Sequence, residues 1–289
     1  MTTTASDPRA SRRCQNTLNP LHSSTYFSPE FGTELSRLGL EPGSMTYFAG
    51  RAAPLGAVGA GTVTATFYNF NHDLVARHIP RTWTIATPEA VIDARLRAVD
   101  TALTRLLGAE TVASPEMREA ATLALRATEA CERAARPLYA ANADLPVPLA
   151  PHLALWHAAT LLREHRGDGH LAALVAARLD GLEALVTHSA TGKGFTPRFV
   201  QASRGWSVEQ WSAAQDRLRE RGLLDAAGEL TDAGVELRRE IEAATDRVDQ
   251  APYEHLGAAG VDRLTELAGS FTQTALASGA FPLEHFGKG

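Results

Sequence analysis

The sequence predicts a mainly α-helical protein, and two observations carry that prediction. A helix-opening signature recurs at Ser28-Pro29-Glu30, Thr87-Pro88-Glu89 and Ser114-Pro115-Glu116. In each, the hydroxyl can accept from an orphan amide, proline fits the first helical position, and the acid suits the positive end of the helix dipole. Between such openings, apolar residues recur every three or four positions, the pattern of a helix with one buried face. With 44% of its 289 residues apolar, the chain has enough hydrophobic surface for a core, which excludes a disordered polymer.

The elements follow in order. Residues 1–25 are polar and irregular and are expected to form a flexible lead-in. The β-branched, aromatic run Thr62 to Phe70 is where a strand competes, but its neighbours favour a helix entry. From Glu89, the residues Val91, Ile92, Ala94, Leu96, Val99, Leu103 and Leu106 mark a long amphipathic helix. A second runs from Glu116 to about Ala134 through Met117, Ala121, Leu125, Thr128 and Cys131. Leu153 to Arg166 and His170 to His188 read as two further helices, split at Gly167-Asp168-Gly169 by a sharp turn. An offset of 83 residues aligns Pro54-Leu55-Gly56-Ala57 with Pro137-Leu138-Tyr139-Ala140, and Ala94-Arg95-Leu96 with Ala177-Arg178-Leu179. A tandem duplication of helical units, about 36–112 and 119–195, is one reading; chance matching of alanine-rich helices is the other.

The grammar changes after residue 195. A short helix from Thr196 and a turn at Gly205 precede Ser207-Val208-Glu209-Gln210, a capping box opening a helix to Arg221. Arg221-Gly222-Leu223-Leu224 ends it, a Gly-containing ribbon follows, and Thr231-Asp232-Ala233-Gly234 opens a long helix. This order, with the motif LRERGLLDAAGELTDAGVEL, resembles the winged helix-turn-helix domain of MarR-type regulators over about residues 170–250. The resemblance implies that fold at the C-terminus and, by analogy, a homodimer. The segments ATFYNFNHDLVARHIP, WHAATLLREHRGDGHLAAL and RGWSVEQWSAA also resemble an actinobacterial family of helix-turn-helix-containing proteins. That second resemblance implies a two-part layout and a cytoplasmic location, and transfers no catalytic residue. The expected domains are therefore a lead-in at 1–25, an all-helical ligand-binding domain at 26–195 and a winged-helix domain at 196–289.

Composition bounds the partners. No run approaches the ~20 apolar residues of a membrane helix. The first residues lack the apolar core of a secretory signal, which points to the cytosol. Two cysteines, Cys14 and Cys131, make neither a disulfide framework nor a thiolate metal site. The net charge is −5, and lysine occurs only at Lys193 and Lys288, the arginine-for-lysine usage of a high-GC, actinobacterial gene. In the recognition-like helix Arg217, Arg219 and Arg221 are nearly cancelled by Glu209, Asp216 and Glu220, and the ribbon offers Asp225 and Glu229 without a base. Charge therefore disfavours DNA, since phosphate contact rewards a positive excess.

Candidate ligand-binding residues fall in two places. One is the alternation of aromatics and amides that includes Tyr68, Asn69 and Asn71, followed by Arg81 and Trp83, with Tyr139 in a Pro-bounded loop of the second unit. Such a mix suits a pocket for a flat organic molecule, and equally a core with Asn caps. The other is Trp156, His157, Arg163, Glu164, His165 and Asp168, with His188 at the end of the returning helix. These read either as a site or as a polar corner locked by ion pairs. A metal site across the two helices from His157, Glu164 and His188 is one reading, but the spacing matches no standard signature, so no metal is expected; the cofactor is unknown. Gly-x-Ser-x-Gly, P-loop and dinucleotide signatures are absent.

Three functions remain open. The first is a small-molecule-binding protein, suited to holding or sequestering an organic compound in specialised metabolism, with the winged helix as scaffold. The second is a MarR-like ligand-responsive regulator, with Arg204, Arg217 and Arg219 on phosphates and Ser207, Gln210 and Gln215 facing bases. The third is an enzyme using the His/Glu/Asp corner.

Overall fold

The computed structural model describes residues 8–287 and is mainly helical. In chain order the first helices are α1 (Pro8–Ser23), α2 (Pro29–Ser36), α3 (Ser44–Ala52), α4 (Ala60–Phe67), α5 (His72–His78) and α6 (Arg81–Ile85). Next come α7 (Pro88–Leu107), α8 (Ala109–Val112), α9 (Pro115–Thr128), α10 (Pro137–Ala143), α11 (Pro151–Ala176) and α12 (Gly181–Ala190). The last are α13 (Pro197–Arg204), α14 (Val208–Glu220), α15 (Asp232–Val248), α16 (Ala251–Leu256) and α17 (Ala258–Ala277). No strand forms among the described residues, where the isolated antiparallel bridges are Phe195–Phe286 and Leu224–Leu230. None of their helices is long and apolar enough to cross a membrane.

The predicted openings are present as hydrogen bonds. Ser28 accepts from the Phe31 amide, Thr87 from Ala90 and Ser114 from Met117, and the Ser207/Gln210 capping box is closed on both sides. Thr62 to Phe67 is helical, as its neighbours suggested.

Contacts divide the chain into two units. Unit 1 comprises residues 8–57, 82–169 and 246–281; unit 2 comprises 58–81, 170–245 and 282–287. This is a different partition from the linear one expected at residue 195. In unit 1, Cys14, Leu18 and Leu21 of α1 share a core with Leu264, Ala268 and Phe271 of α17 and with α7, α9 and α11. A smaller cluster joins Phe31 and Leu35 of α2 to Met45 of α3 and Val91 of α7. In unit 2, Leu182 and Leu185 of α12 pack with Trp211 and Leu218 of α14 and Ile241 of α15.

Four expectations are corrected. The lead-in is helical from Pro8, because α1 has α17 to cover its apolar side; residues 1–7 lie outside the described residues. Gly167-Asp168-Gly169 is no turn but the middle of the 26-residue α11. Glycine there serves close approach: a Cβ on Gly169 would stand 2.8 Å from both Arg136 Nη1 and Val248 Cγ2. The 83-residue repeat has no structural counterpart, since Ala94-Arg95-Leu96 lies inside α7 whereas Ala177-Arg178-Leu179 links α11 to α12. Finally, the helix from Pro115 ends at Thr128, short of Cys131, and the segment around Tyr139 is α10, not a loop.

Candidate functional site

In unit 2 the aromatic–amide segment makes a tight reversal. α4 stops at Phe67, and Tyr68 takes φ 56° and ψ −56° while the Asn69 amide donates to the Phe67 carbonyl at 2.6 Å. That is a γ-turn of the strained hand, which persists only when its surroundings impose it. They do so here. The Tyr68 hydroxyl donates to the Leu179 carbonyl at 2.5 Å, and the Trp206 indole donates to the Asn69 carbonyl at 2.9 Å. The Asn71 amide donates to the Arg204 carbonyl at 2.9 Å, while its side chain caps α5. A Cβ on Gly181 would stand 2.1 Å from the Tyr68 carbonyl oxygen, so the start of α12 must be glycine.

The reversal, the start of α12 and one face of α14 line a cavity of about 430 Å³ that is open to solvent. Tyr68, Phe70 and Trp206 give it aromatic surface, and His72, Gln210 and Arg217 give it polar groups. Burial, then Asp180 and Glu183, hold the Tyr68 phenol above its ordinary value, so it donates as a neutral group.

The cations of α14 are already engaged within the unit. Arg217 donates to Glu183 at 3.0 Å and to Asp180 at 2.9 Å, and Arg221 reaches the other Glu183 oxygen at 3.0 Å. Arg219 pairs with Asp216 at 2.7 Å. Ser207 and Gln210 serve the capping box, and Gln210 also accepts from Asn71 at 3.4 Å.

Unit 1 holds a buried polar cluster. Arg51 grips Glu164 with two bonds, at 3.0 and 3.3 Å, and Arg163 adds a third at 2.5 Å. Burial opposes the Glu164 charge, but the two arginines outweigh it and hold the carboxyl down at about 2. Arg95, 4% exposed, donates to the Gly50 carbonyl at 3.0 Å and to Asn142 at 3.5 Å, and its guanidinium lies 5.3 Å from the Trp156 ring. Burial, then the Arg95 charge, push the neighbouring His157 down to about 4.

The remaining corner residues tie helices together. Asp168 accepts the Leu138 and Tyr139 amides at 3.0 and 2.9 Å, capping the start of α10. Burial nonetheless pushes its carboxyl up to about 6, against the pull of those donors. His165 bonds Asp249 at 2.9 Å, Arg166 meets Asp246 at 3.0 Å, and Arg136 donates to the His165 and Val248 carbonyls.

The predicted residues are thus sorted. Tyr68 lines the unit 2 cavity, while Asn69 and Asn71 hold the reversal through Trp206, Arg204 and Gln210 without lining it; Arg81 is exposed and also takes no part in the lining. Trp83 packs against the small core of unit 1, and Tyr139 lies edge-on to His165 at the corner. Trp156, His157, Arg163 and Glu164 share the buried cluster; His188 is an exposed side chain of unit 2. No group of three His, Cys, Asp or Glu that could hold a metal occurs among the described residues. Sequence reasoning missed His22, Arg51 and Arg95. Only Arg95 left a signal: it falls between Val91 and Val99 at intervals of four, on the buried stripe of α7.

Comparison with curated proteins and with solved structures finds no match. A family model does match, over residues 11–282 and so across both units, and the chain belongs to that helix-turn-helix family.

Proposed function

We propose that this protein binds a small organic molecule and uses its helix-turn-helix segment as scaffold. In this reading α13, the Gly205 turn, α14, the Leu224–Leu230 hairpin and α15 form a winged helix of the MarR type in a cytoplasmic protein, as a homodimer by analogy. The observation that carries the proposal is that α14 is built into its own unit. Its arginines answer Asp180, Glu183 and Asp216, and its capping Gln210 meets Asn71. Counterion release on DNA needs cations free to replace salt on phosphate. Against the same face lies a cavity of about 430 Å³, within the roughly 300–1,000 Å³ usual for small-molecule sites. Its aromatic walls and few polar groups suit a planar compound held or sequestered in specialised metabolism.

Native mass spectrometry with an absorbance spectrum on freshly purified protein tests this directly. The expected result is a co-purifying organic molecule that is lost in Ala213→Phe, a change at an exposed position on the cavity wall. Retention of that molecule by the variant would move the site elsewhere.

Family membership favours a second reading, a DNA-binding regulator. It predicts that a duplex selected from a random pool is bound tightly, and ~10³-fold or more weaker at about 200 mM than at about 50 mM salt. The scaffold reading predicts that selection enriches nothing.

A further inference from the structure

We infer that unit 1 contains a second binding site, for a small organic acid that carries a hydrogen-bond donor beside its carboxylate, held between Arg95 and His22 along the indole of Trp156. This inference rests on unit 1 alone and stands or falls independently of the unit 2 cavity.

Charge is the first argument. Three guanidinium groups, of Arg51, Arg95 and Arg163, surround His22 together with one carboxylate, Glu164. Glu164 is taken by Arg51 and Arg163. Arg95 is left with neutral acceptors and an aromatic face, although it is 4% exposed. A guanidinium does not shed its proton in a protein, so a buried one calls for an anion.

Hydrogen bonding supplies the second argument. Thr160 has one hydroxyl proton and gives it to the Trp156 carbonyl at 2.8 Å. Its oxygen also lies 2.8 Å from His22 Nδ1, so it must accept there, and Nδ1 carries the hydrogen. His22 is fully buried, and burial and the arginines keep its ring neutral. Nε2 is then a bare lone pair, buried and without a partner. An occupant must donate to it, which chloride or a plain carboxylate cannot do.

Geometry joins the two demands. The His22 ring stacks on Trp156 with centroids 5.4 Å apart, and Arg95 lies 5.3 Å from the same indole, so both demands arise around one side chain. Tyr26 and Arg51 of the same cluster are only half-buried, and 14% of the Arg51 side chain keeps accessible surface through which a small solute can reach it. The aromatic neighbours Tyr26, Tyr47 and Trp156 favour an organic acid over inorganic phosphate, which also combines an anion with an O–H donor.

Isothermal titration of the full-length protein at constant ionic strength tests the assignment with four probes. Glycolate carries both features, acetate the anion alone, glycolamide the donor alone, and phosphate the inorganic alternative. Glycolate is expected to bind about tenfold more tightly than acetate, with glycolamide silent. His22→Leu should remove that advantage, and Arg95→Met should abolish both responses while circular dichroism stays unchanged. Ala213→Phe should leave all of them intact, separating this site from the unit 2 cavity. Equal response to glycolate and acetate, insensitivity to His22→Leu, or silence of every probe would each overturn the inference. Preference for phosphate over glycolate would overturn the organic-acid assignment.

Discussion

Two glycines two positions apart on α11 are expected to respond in opposite directions to the same change. A Cβ on Gly167 would meet the Glu164 carboxylate at 3.6 Å, an ordinary contact. Gly167→Ala therefore gains helix propensity and should stabilise by about 0.5–1 kcal/mol. On Gly169 the Cβ would crowd Arg136 and Val248 at 2.8 Å. Arg136 is anchored to the His165 and Val248 carbonyls and cannot swing aside cheaply. Gly169→Ala should cost about 1–3 kcal/mol in spite of its propensity, and urea denaturation of the pair reads both signs. The same residues show the limit of reading this stretch in sequence. Gly-Asp-Gly is written identically whether it turns a chain or lets another segment approach a helix; what distinguishes them is Arg136, about thirty positions away.

At the scale of elements, helix starts were legible and one whole helix was not. Ser28, Thr87, Ser114 and Ser207 advertise themselves because capping is local chemistry, settled within three residues. α1 has no comparable sign: it is polar and carries Pro20 inside it. Its apolar stripe is only Cys14, Leu18 and Leu21, and it becomes a helix because α17 covers that stripe. Thr272 of α17 reinforces the pairing by donating to the Thr17 carbonyl at 2.7 Å, and Tyr253 of the neighbouring α16 donates to Gln15 at 2.7 Å. Leu18 is 1% exposed, so Leu18→Ala should cost about 2–5 kcal/mol. A loss near zero in chemical denaturation would mean that α1 is an appendage. The candidate site was half legible for a related reason. The aromatic–amide run could be recognised by composition, whereas its partners at Leu179 to Gly181 and the cluster residues His22 and Arg51 come together only through the fold.

For the molecule as a whole, the question is why a member of a helix-turn-helix family would carry a net charge of −5 and an α14 whose cations are spoken for. Glu183 is the hinge of that argument. Its side chain is 7% exposed and joins Arg217 to Arg221, while also closing the cap of α12 by accepting from the Asp180 amide. Glu183→Gln keeps an oxygen for the cap and removes the charge shared by both arginines, leaving Arg217 its pair with Asp180. It should cost about 1–3 kcal/mol of stability, because two guanidinium groups lose a common acceptor. If paired acids are what silences α14, the variant should bind random duplex DNA more tightly than wild type. Its plot of log affinity against log salt should steepen by about one, for Arg221, whose acidic partner is Glu183 alone, while Arg217 stays paired with Asp180. Fluorescence anisotropy across a salt series measures both. If affinity and slope stay at the wild-type values while stability falls as expected, charge is not the obstacle. The scaffold reading would then rest on the Asn69–Trp206 and Asn71–Gln210 bonds, which engage residues at the start of α14.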